Sequence, residues 1–185
     1  MIKKIILGTL ILVLSYLVYA TPFQEKPVNR EARTQEIFRQ IVKATGEGNR
    51  IRVLHIIDAK RADNSDIMNA WALPTGDVFM TKAEMKFDYE HGGEDAIALV
   101  LAHEVAHITL GHVHIPSDIR TKDIMQTLEA QADKMGAFYM MRAGYNLCAG
   151  RESWKALEEL YGDVLIQDHP DFAYRFAQLN INCRE

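Results

Sequence analysis

Three ionisable residues lie inside one of the most apolar segments of the chain. Over residues 93–114 the sequence is dominated by Ala, Leu, Val and Ile, a pattern typical of a helix buried on nearly all sides. His103, Glu104 and His107 interrupt this segment with the spacing HExxH. Burying such groups without partners is costly, and a bound metal ion removes that cost. The segment therefore predicts a central helix that carries a metal site.

Helical geometry explains why these residue types suit a metal site. Residues four apart lie one above the other on the same helical face, so His103 and His107 can converge on one tetrahedral ion. Glu104 is rotated by about 100° from His103, where it can act as the general base on an attacking water. A helix with two surface histidines is the alternative, and the apolar residues that flank the motif argue against it.

The third ligand of the predicted site has two possible sources. In the metzincin pattern, a glycine and then a histidine follow the second motif histidine at fixed distances. This chain has Leu110 and Val113 at those positions. The other source is a glutamate on the following predicted helix, where Glu129 and Asp133 are four residues apart on one face. We expect Glu129 to be the ligand, and Asp133 to accept a ring N–H from a ligand histidine and so fix its tautomer.

The remaining pattern predicts a mainly helical α+β domain with one small sheet. Apolar residues with helical spacing alternate with short segments of strand composition, and turns rich in Gly and Pro separate them. Helices are predicted over residues 30–45, 93–114, 117–143, 152–161 and 171–179, and strands over 51–57 and 78–81.

The N-terminal segment is typical of a secretory signal peptide. Lys3 and Lys4 precede an apolar run over residues 5–20, which ends in small residues at the positions that a signal peptidase reads. The run is shorter than the roughly 20 residues of a membrane span, although an uncleaved anchor is the alternative. We expect a signal peptide or anchor over 1–20, a linker over 21–30 and one domain over 31–185. The expected location is the periplasm, or the inner membrane facing it.

Charge and cysteine content limit the partners and the chemistry. The net charge of −4, without a basic run beyond the N-terminus, excludes the electrostatic signature of nucleic-acid binding. Cys148 and Cys183 are the only cysteines, and in an exported protein they can form a disulfide, two buried thiols being the alternative. A deformylase needs a cysteine ligand upstream of HExxH, and no cysteine precedes Cys148.

Together these motifs resemble the gluzincin metallopeptidases of the HtpX, BepA and CAAX-prenyl-protease type. The resemblance begins with HEVAH at 103–107, followed by Glu129 and Asp133. Residues 69–81 are similar to the strand segment NAFA…GG…V…T of that family, and residues 94–103 to its lead into the zinc helix. The sequence HPDFAYR at 169–175 is similar to its HPxxxxR element.

The resemblance implies a zincin-like fold, with HExxH on a buried central helix and the glutamate ligand on the next helix. It implies one Zn²⁺ per chain, held by His103, His107 and Glu129. It also places His169 and Arg175 near the site as further catalytic residues.

The resemblance further implies an endopeptidase in which Glu104 is the general base. The strand of Val78, Phe79 and Met80 would bind substrate by adding an extended polypeptide to a sheet edge, a mode suited to unfolded or misfolded exported proteins. A zinc-stabilised, chaperone-like binding domain with little proteolysis is the alternative. Glu104 favours the enzyme, because a structural zinc site needs no base.

Overall fold

The computed structural model describes residues 29–161 and, beyond them, Arg175, Ala177, Leu179 and Cys183. The predicted signal peptide, most of the predicted linker and most of the helix predicted over 171–179 lie outside the described residues. The described part is mainly helical with a small sheet, as the sequence predicts. Its elements are α1 (Arg30–Thr45), β1 (Leu54–Ile57), β2 (Ala70–Ala72), β3 (Val78–Thr81), α2 (Lys82–His91), α3 (Gly93–Thr109), the 3₁₀-helices His112–His114 and Ser117–Ile119, α4 (Lys122–Arg142) and α5 (Leu147–Tyr161).

Helix α3 is the centre of the domain. Helices α1, α2, α4 and α5 and strand β2 all pack against it. Its apolar side chains are almost completely buried, among them Ile97, Leu101 and Val105 at 0% exposure. The prediction of a buried central helix is therefore confirmed. The helix ends at Thr109, earlier than predicted, because Gly111 adopts a left-handed φ of 77° that turns the chain away from the helical path.

Side-chain caps set two other helix starts that differ from the prediction. Helix α4 begins after Thr121, whose side chain accepts a hydrogen bond from the N–H of Ile124 at 3.4 Å, and not at 117. Helix α5 begins before 152, because the side chain of Asn146 accepts a hydrogen bond from the N–H of Cys148 at 3.0 Å. Strand β1 is shorter than predicted and begins at Leu54.

Strand β3 is the middle strand of a three-stranded sheet in the described part of the chain. It pairs in parallel with β1 and antiparallel with β2, to which a tight turn over 73–77 connects it. The prediction that Val78, Phe79 and Met80 lie at a sheet edge is therefore wrong. Both sides of the β3 backbone are already paired, because the hairpin supplies one neighbour and β1 the other. The strands at the two edges are β1 and β2.

Helix α2 buries two acidic residues. Because they take positions that apolar residues would otherwise hold, the apolar pattern of the sequence does not predict this helix. Glu84 is 7% exposed and Asp88 is fully buried. The Ser153 hydroxyl lies next to Asp88, but it donates its hydrogen bond to the Gly150 carbonyl at 3.2 Å. Within the described residues, neither carboxylate oxygen of Asp88 has a hydrogen-bond partner. Burial, and after it the carboxylate of Glu104, raises the pKa of Glu84 to about 7. Burial, and after it Glu84, raises the pKa of Asp88.

A disulfide joins Cys148 at the start of α5 to Cys183, with their Cα atoms 5.5 Å apart. The predicted pairing of the two cysteines is thus present. A disulfide suggests an oxidising, exported location for the protein. No helix within residues 29–161 combines the length and the apolar character that crossing a membrane requires.

We expect Glu84→Gln to stabilise the protein at alkaline pH. The pKa of Glu84 is about 7 in the folded state against an ordinary value of 4.5. The folded state therefore binds the proton of Glu84 more tightly than the unfolded state does. The free energy of unfolding falls as the pH rises from about 4.5 to about 7. The variant should exceed wild type in free energy of unfolding by on the order of 2–3 kcal/mol at pH 8 and match it near pH 4.5.

Urea unfolding at both pH values measures this difference. Glu90→Gln is the matched control, because Glu90 lies on the same helix and is exposed. It should leave stability unchanged at either pH. An equal gain for Glu84→Gln at both pH values would contradict the account, since a gain that does not depend on pH does not come from the carboxylate charge.

Candidate metal centre

Two ring nitrogens and a carboxylate meet between α3 and α4. Nε2 of His103 lies 3.0 Å from Nε2 of His107. The Glu129 oxygens lie 3.1 Å from Nε2 of His103 and 3.4 Å from Nε2 of His107. In a tetrahedral zinc site with bonds of about 2.0–2.1 Å, neighbouring donor atoms are about 3.3 Å apart. These three side chains therefore form a group that could hold a metal ion, and their donor spacing fits zinc.

The close approach of α4 to α3 brings Glu129 into this group. A Cβ atom at Gly136 would lie 2.9 Å from the backbone N of His103 and 3.0 Å from the carbonyl carbon of Ala102. A side chain at position 136 would thus push the two helices apart. Glu129, Asp133 and Gly136 follow one another on the same face of α4, and all three are buried. The glycine therefore sets the distance at which both acids reach the central helix.

Asp133 and Arg175 hold His103 on the side of its ring that faces away from the other two possible ligands. Nδ1 of His103 lies 2.9 Å from Oδ1 of Asp133, so the ring donates this N–H to the carboxylate and its Nε2 atom faces His107 and Glu129. Arg175 donates to both Asp133 oxygens, at 2.7 and 2.6 Å. Its guanidinium lies over the ring of Trp154, 4.2 Å from the centroid. Arg175 is thus next to the site: besides Asp133, its Nη2 atom lies 3.5 Å from Nδ1 of His103 and 4.0 Å from Oε2 of Glu129.

The charges of this buried group favour a cation. Burial opposes protonation of His103, but hydrogen bonds to Asp133 and Glu129 outweigh burial and raise the pKa of His103 to about 10. Burial likewise disfavours ionised Asp133, but Arg175 and His103 outweigh it and lower the pKa of Asp133 to about 2. In the metal-free protein a proton on His103 balances the acids, and a metal ion has to displace that proton to bind.

Glu104 and His107 mark the side of the group that faces solvent. Both are half-buried, whereas His103 and Glu129 are buried. The side chain of His107 is 15% exposed, against 8% for His103 and 4% for Glu129. Because Glu104 follows His103 on α3, helix geometry rotates it by about 100° from His103.

A further histidine, to which the sequence assigns no partner, contacts this group. Nδ1 of His112 lies 3.1 Å from Nδ1 of His107, and Nε2 of His112 lies 3.0 Å from Oε1 of Gln131. Burial, and after it the neighbouring His107, lowers the pKa of His112. His112 lies inside the helix predicted over 93–114, whereas α3 ends at Thr109 and a separate 3₁₀-helix carries His112. Gly111, immediately before it, is the one sequence signal that the chain turns back there.

Three other residues predicted for the site, all on β3, do not join the group. Val78 and Met80 are fully buried in the core, and Phe79 is half-buried in the middle strand. His169 lies outside the described residues.

A buried HExxH helix that packs against a glutamate-bearing helix defines the gluzincin class of metallopeptidases. Residues 29–126, just over half of the chain, match the model of peptidase family M48, and the chain belongs to that family. The matched region contains His103, Glu104 and His107 and ends before Glu129. A comparison with curated proteins finds no match. Membership makes the protein a peptidase, with polypeptides as substrates, in a family of metal-dependent and typically zinc-dependent enzymes.

Proposed function

We propose that the protein is a zinc-dependent endopeptidase of exported polypeptides, with His103, His107 and Glu129 as the zinc ligands. The observation that carries the proposal is the convergence of three side chains: the Nε2 atoms of His103 and His107 lie 3.0 Å apart, and each has a Glu129 oxygen within 3.4 Å. Zinc held by three protein ligands supplies a Lewis acid that polarises a peptide carbonyl and acidifies water. The disulfide supports export, and we infer a location in the periplasm or on the inner membrane facing it.

The side chains around the group have separate roles in this proposal. Glu104 accepts the proton of the attacking water and passes it to the leaving amine. Its half-buried position next to His103 suits a base that must reach both water and substrate. Asp133 holds the ring of His103, and Arg175 holds Asp133, so these two are positioning residues that need not touch the substrate.

We expect Glu104→Gln to abolish cleavage without loss of zinc. The amide has nearly the same size as the carboxylate but cannot accept the proton, and losing a general base typically costs about 10²–10⁴-fold in rate. The measurement is zinc content and cleavage of an unfolded protein such as casein, with wild type beside the variant. One zinc per chain in both proteins and cleavage by wild type alone is the expected result.

The alternative function, a zinc-stabilised domain that binds unfolded chains, predicts a different result in the same experiment. Both proteins would then hold zinc, bind casein equally and leave it uncut. A variant that cleaves at the wild-type rate would instead remove Glu104 from the mechanism.

We further propose that an extended substrate pairs with β2 and not with β3. Strand β2 is an edge strand in the described sheet and packs against α3, the helix that carries His103 and His107. The N–H of Thr81 donates to the Asn69 carbonyl at 2.9 Å. Because bonded and non-bonded pairs alternate along an antiparallel ladder, the backbone groups of Ala70 and Ala72 point away from β3. These groups can bind the backbone of an added strand whatever its sequence.

We expect Ala72→Pro to block this pairing while leaving zinc in place. Proline removes the outward N–H, and its ring occupies the edge where a substrate would lie. We expect kcat/KM for an extended peptide to fall at least roughly tenfold, with zinc content unchanged. Ala72→Ser is the matched control, because it keeps the N–H at the same position. A proline variant as active as the serine variant would show that the substrate does not pair with β2.

A further inference from the structure

We propose that His112 and Gln131 position His107 by fixing which of its ring nitrogens carries the proton. The proposal rests on the role of His107 as a metal ligand. It assigns a purpose to two side chains that lie outside the group of possible metal ligands.

The chain path brings His112 against the back of His107. Gly111 turns the chain at the end of α3, and the N–H of His114 donates to the Gly111 carbonyl at 3.1 Å, which closes the 3₁₀-helix that carries His112. The rings of His107 and His112 meet edge to face, with centroids 5.1 Å apart and an angle of 72° between their planes. His112 is only 5% exposed. A partly buried nitrogen-to-nitrogen contact of 3.1 Å therefore joins the two rings.

This contact requires one donor and one acceptor. A neutral imidazole carries a proton on one nitrogen and a lone pair on the other. If Nε2 of His107 binds a metal, the proton of His107 lies on Nδ1, and Nδ1 of His112 must accept it. His112 then has its own proton on Nε2, which needs an acceptor. The Oε1 atom of Gln131, 3.0 Å away, is that acceptor.

The three residues thus form a series in which each hydrogen bond sets the direction of the next. With the amide oxygen of Gln131 towards His112, the series ends in a lone pair on Nε2 of His107. With the amide nitrogen there, every bond would reverse and place a proton on the nitrogen that faces the metal. In the orientation of the structure, with Oε1 towards His112, Gln131 therefore favours the tautomer of His107 that can bind.

The two ligand histidines are supported in chemically different ways. His103 donates to Asp133, an ionised acid paired with Arg175. His107 is supported by a neutral ring and a neutral amide. A partner behind a ligand histidine typically contributes about 10–100-fold in metal affinity. We expect His112 and Gln131 to raise metal affinity by a factor within this range. They do so by fixing the orientation and the tautomer of His107, and they add no charge to the site.

Zinc affinity of the full-length chain, measured by competition with a chromophoric chelator at fixed pH, tests the proposal. We expect His112→Ala to weaken zinc binding roughly 10–100-fold, and His112→Gln to restore part of the loss because its amide oxygen accepts the N–H of His107. At the other position, Gln131→Met should weaken binding and Gln131→Glu should preserve it, since only the second keeps an acceptor. His114→Ala is the matched control, because His114 is exposed on the same 3₁₀-helix.

Nitrogen-15 NMR of the zinc-loaded protein shows which ring nitrogens carry a proton, a property that a change in packing alone would not alter. The wild type should show His107 protonated at Nδ1 and His112 protonated at Nε2, and Gln131→Met should broaden or lose the second of these protons. Unchanged zinc affinity in His112→Ala and Gln131→Met would overturn the proposal, as would a proton on Nδ1 of His112. If zinc does not bind to His107 in the wild type, the proposed function fails together with the inference, whereas normal zinc binding with the wrong tautomers removes the inference alone.

Discussion

The site depends on the contact between α3 and α4, where Gly136 lets the two backbones touch. Two histidines inside an apolar helix would be costly without partners, and the partners come from the facing helix. The contact presents Glu129 and Asp133 to the central helix one turn apart, so one acid reaches the metal position and the other reaches the back of a ligand ring. A wider spacing between the helices would separate Glu129 and Asp133 from the histidines of the central helix.

Several distant parts of the chain complete this buried polar group. Arg175 comes from the C-terminal segment, pairs with Asp133 and stacks on Trp154 of α5. The Cys148–Cys183 disulfide ties that segment to the same helix. Removing one partner from a buried ion pair typically costs about 3–5 kcal/mol, so the support of the site and the stability of the domain are linked. The group of His103, His107 and Glu129 is therefore part of the core as well as the proposed metal site.

The sequence predicts those features that a local pattern determines. The apolar helix with HExxH follows from its composition, and Glu129 follows from its spacing to Asp133 among small residues. Helix α2 is missed, because buried Glu84 and Asp88 break the apolar pattern that marks a helix. The order of strands is also missed, since short strands do not reveal which neighbours pair. His112 is missed for a similar reason, because one left-handed glycine decides where the chain goes next.

X-ray absorption at the zinc edge of the full-length chain, loaded with one equivalent of zinc, identifies the ligands of the metal. We expect two imidazole nitrogens and oxygen donors at about 2.0–2.1 Å, without sulfur. Replacing Glu129 with glutamine should change the oxygen shell and leave both imidazoles in place. A sulfur shell near 2.3 Å, or a zinc shell without two imidazoles, would contradict the account.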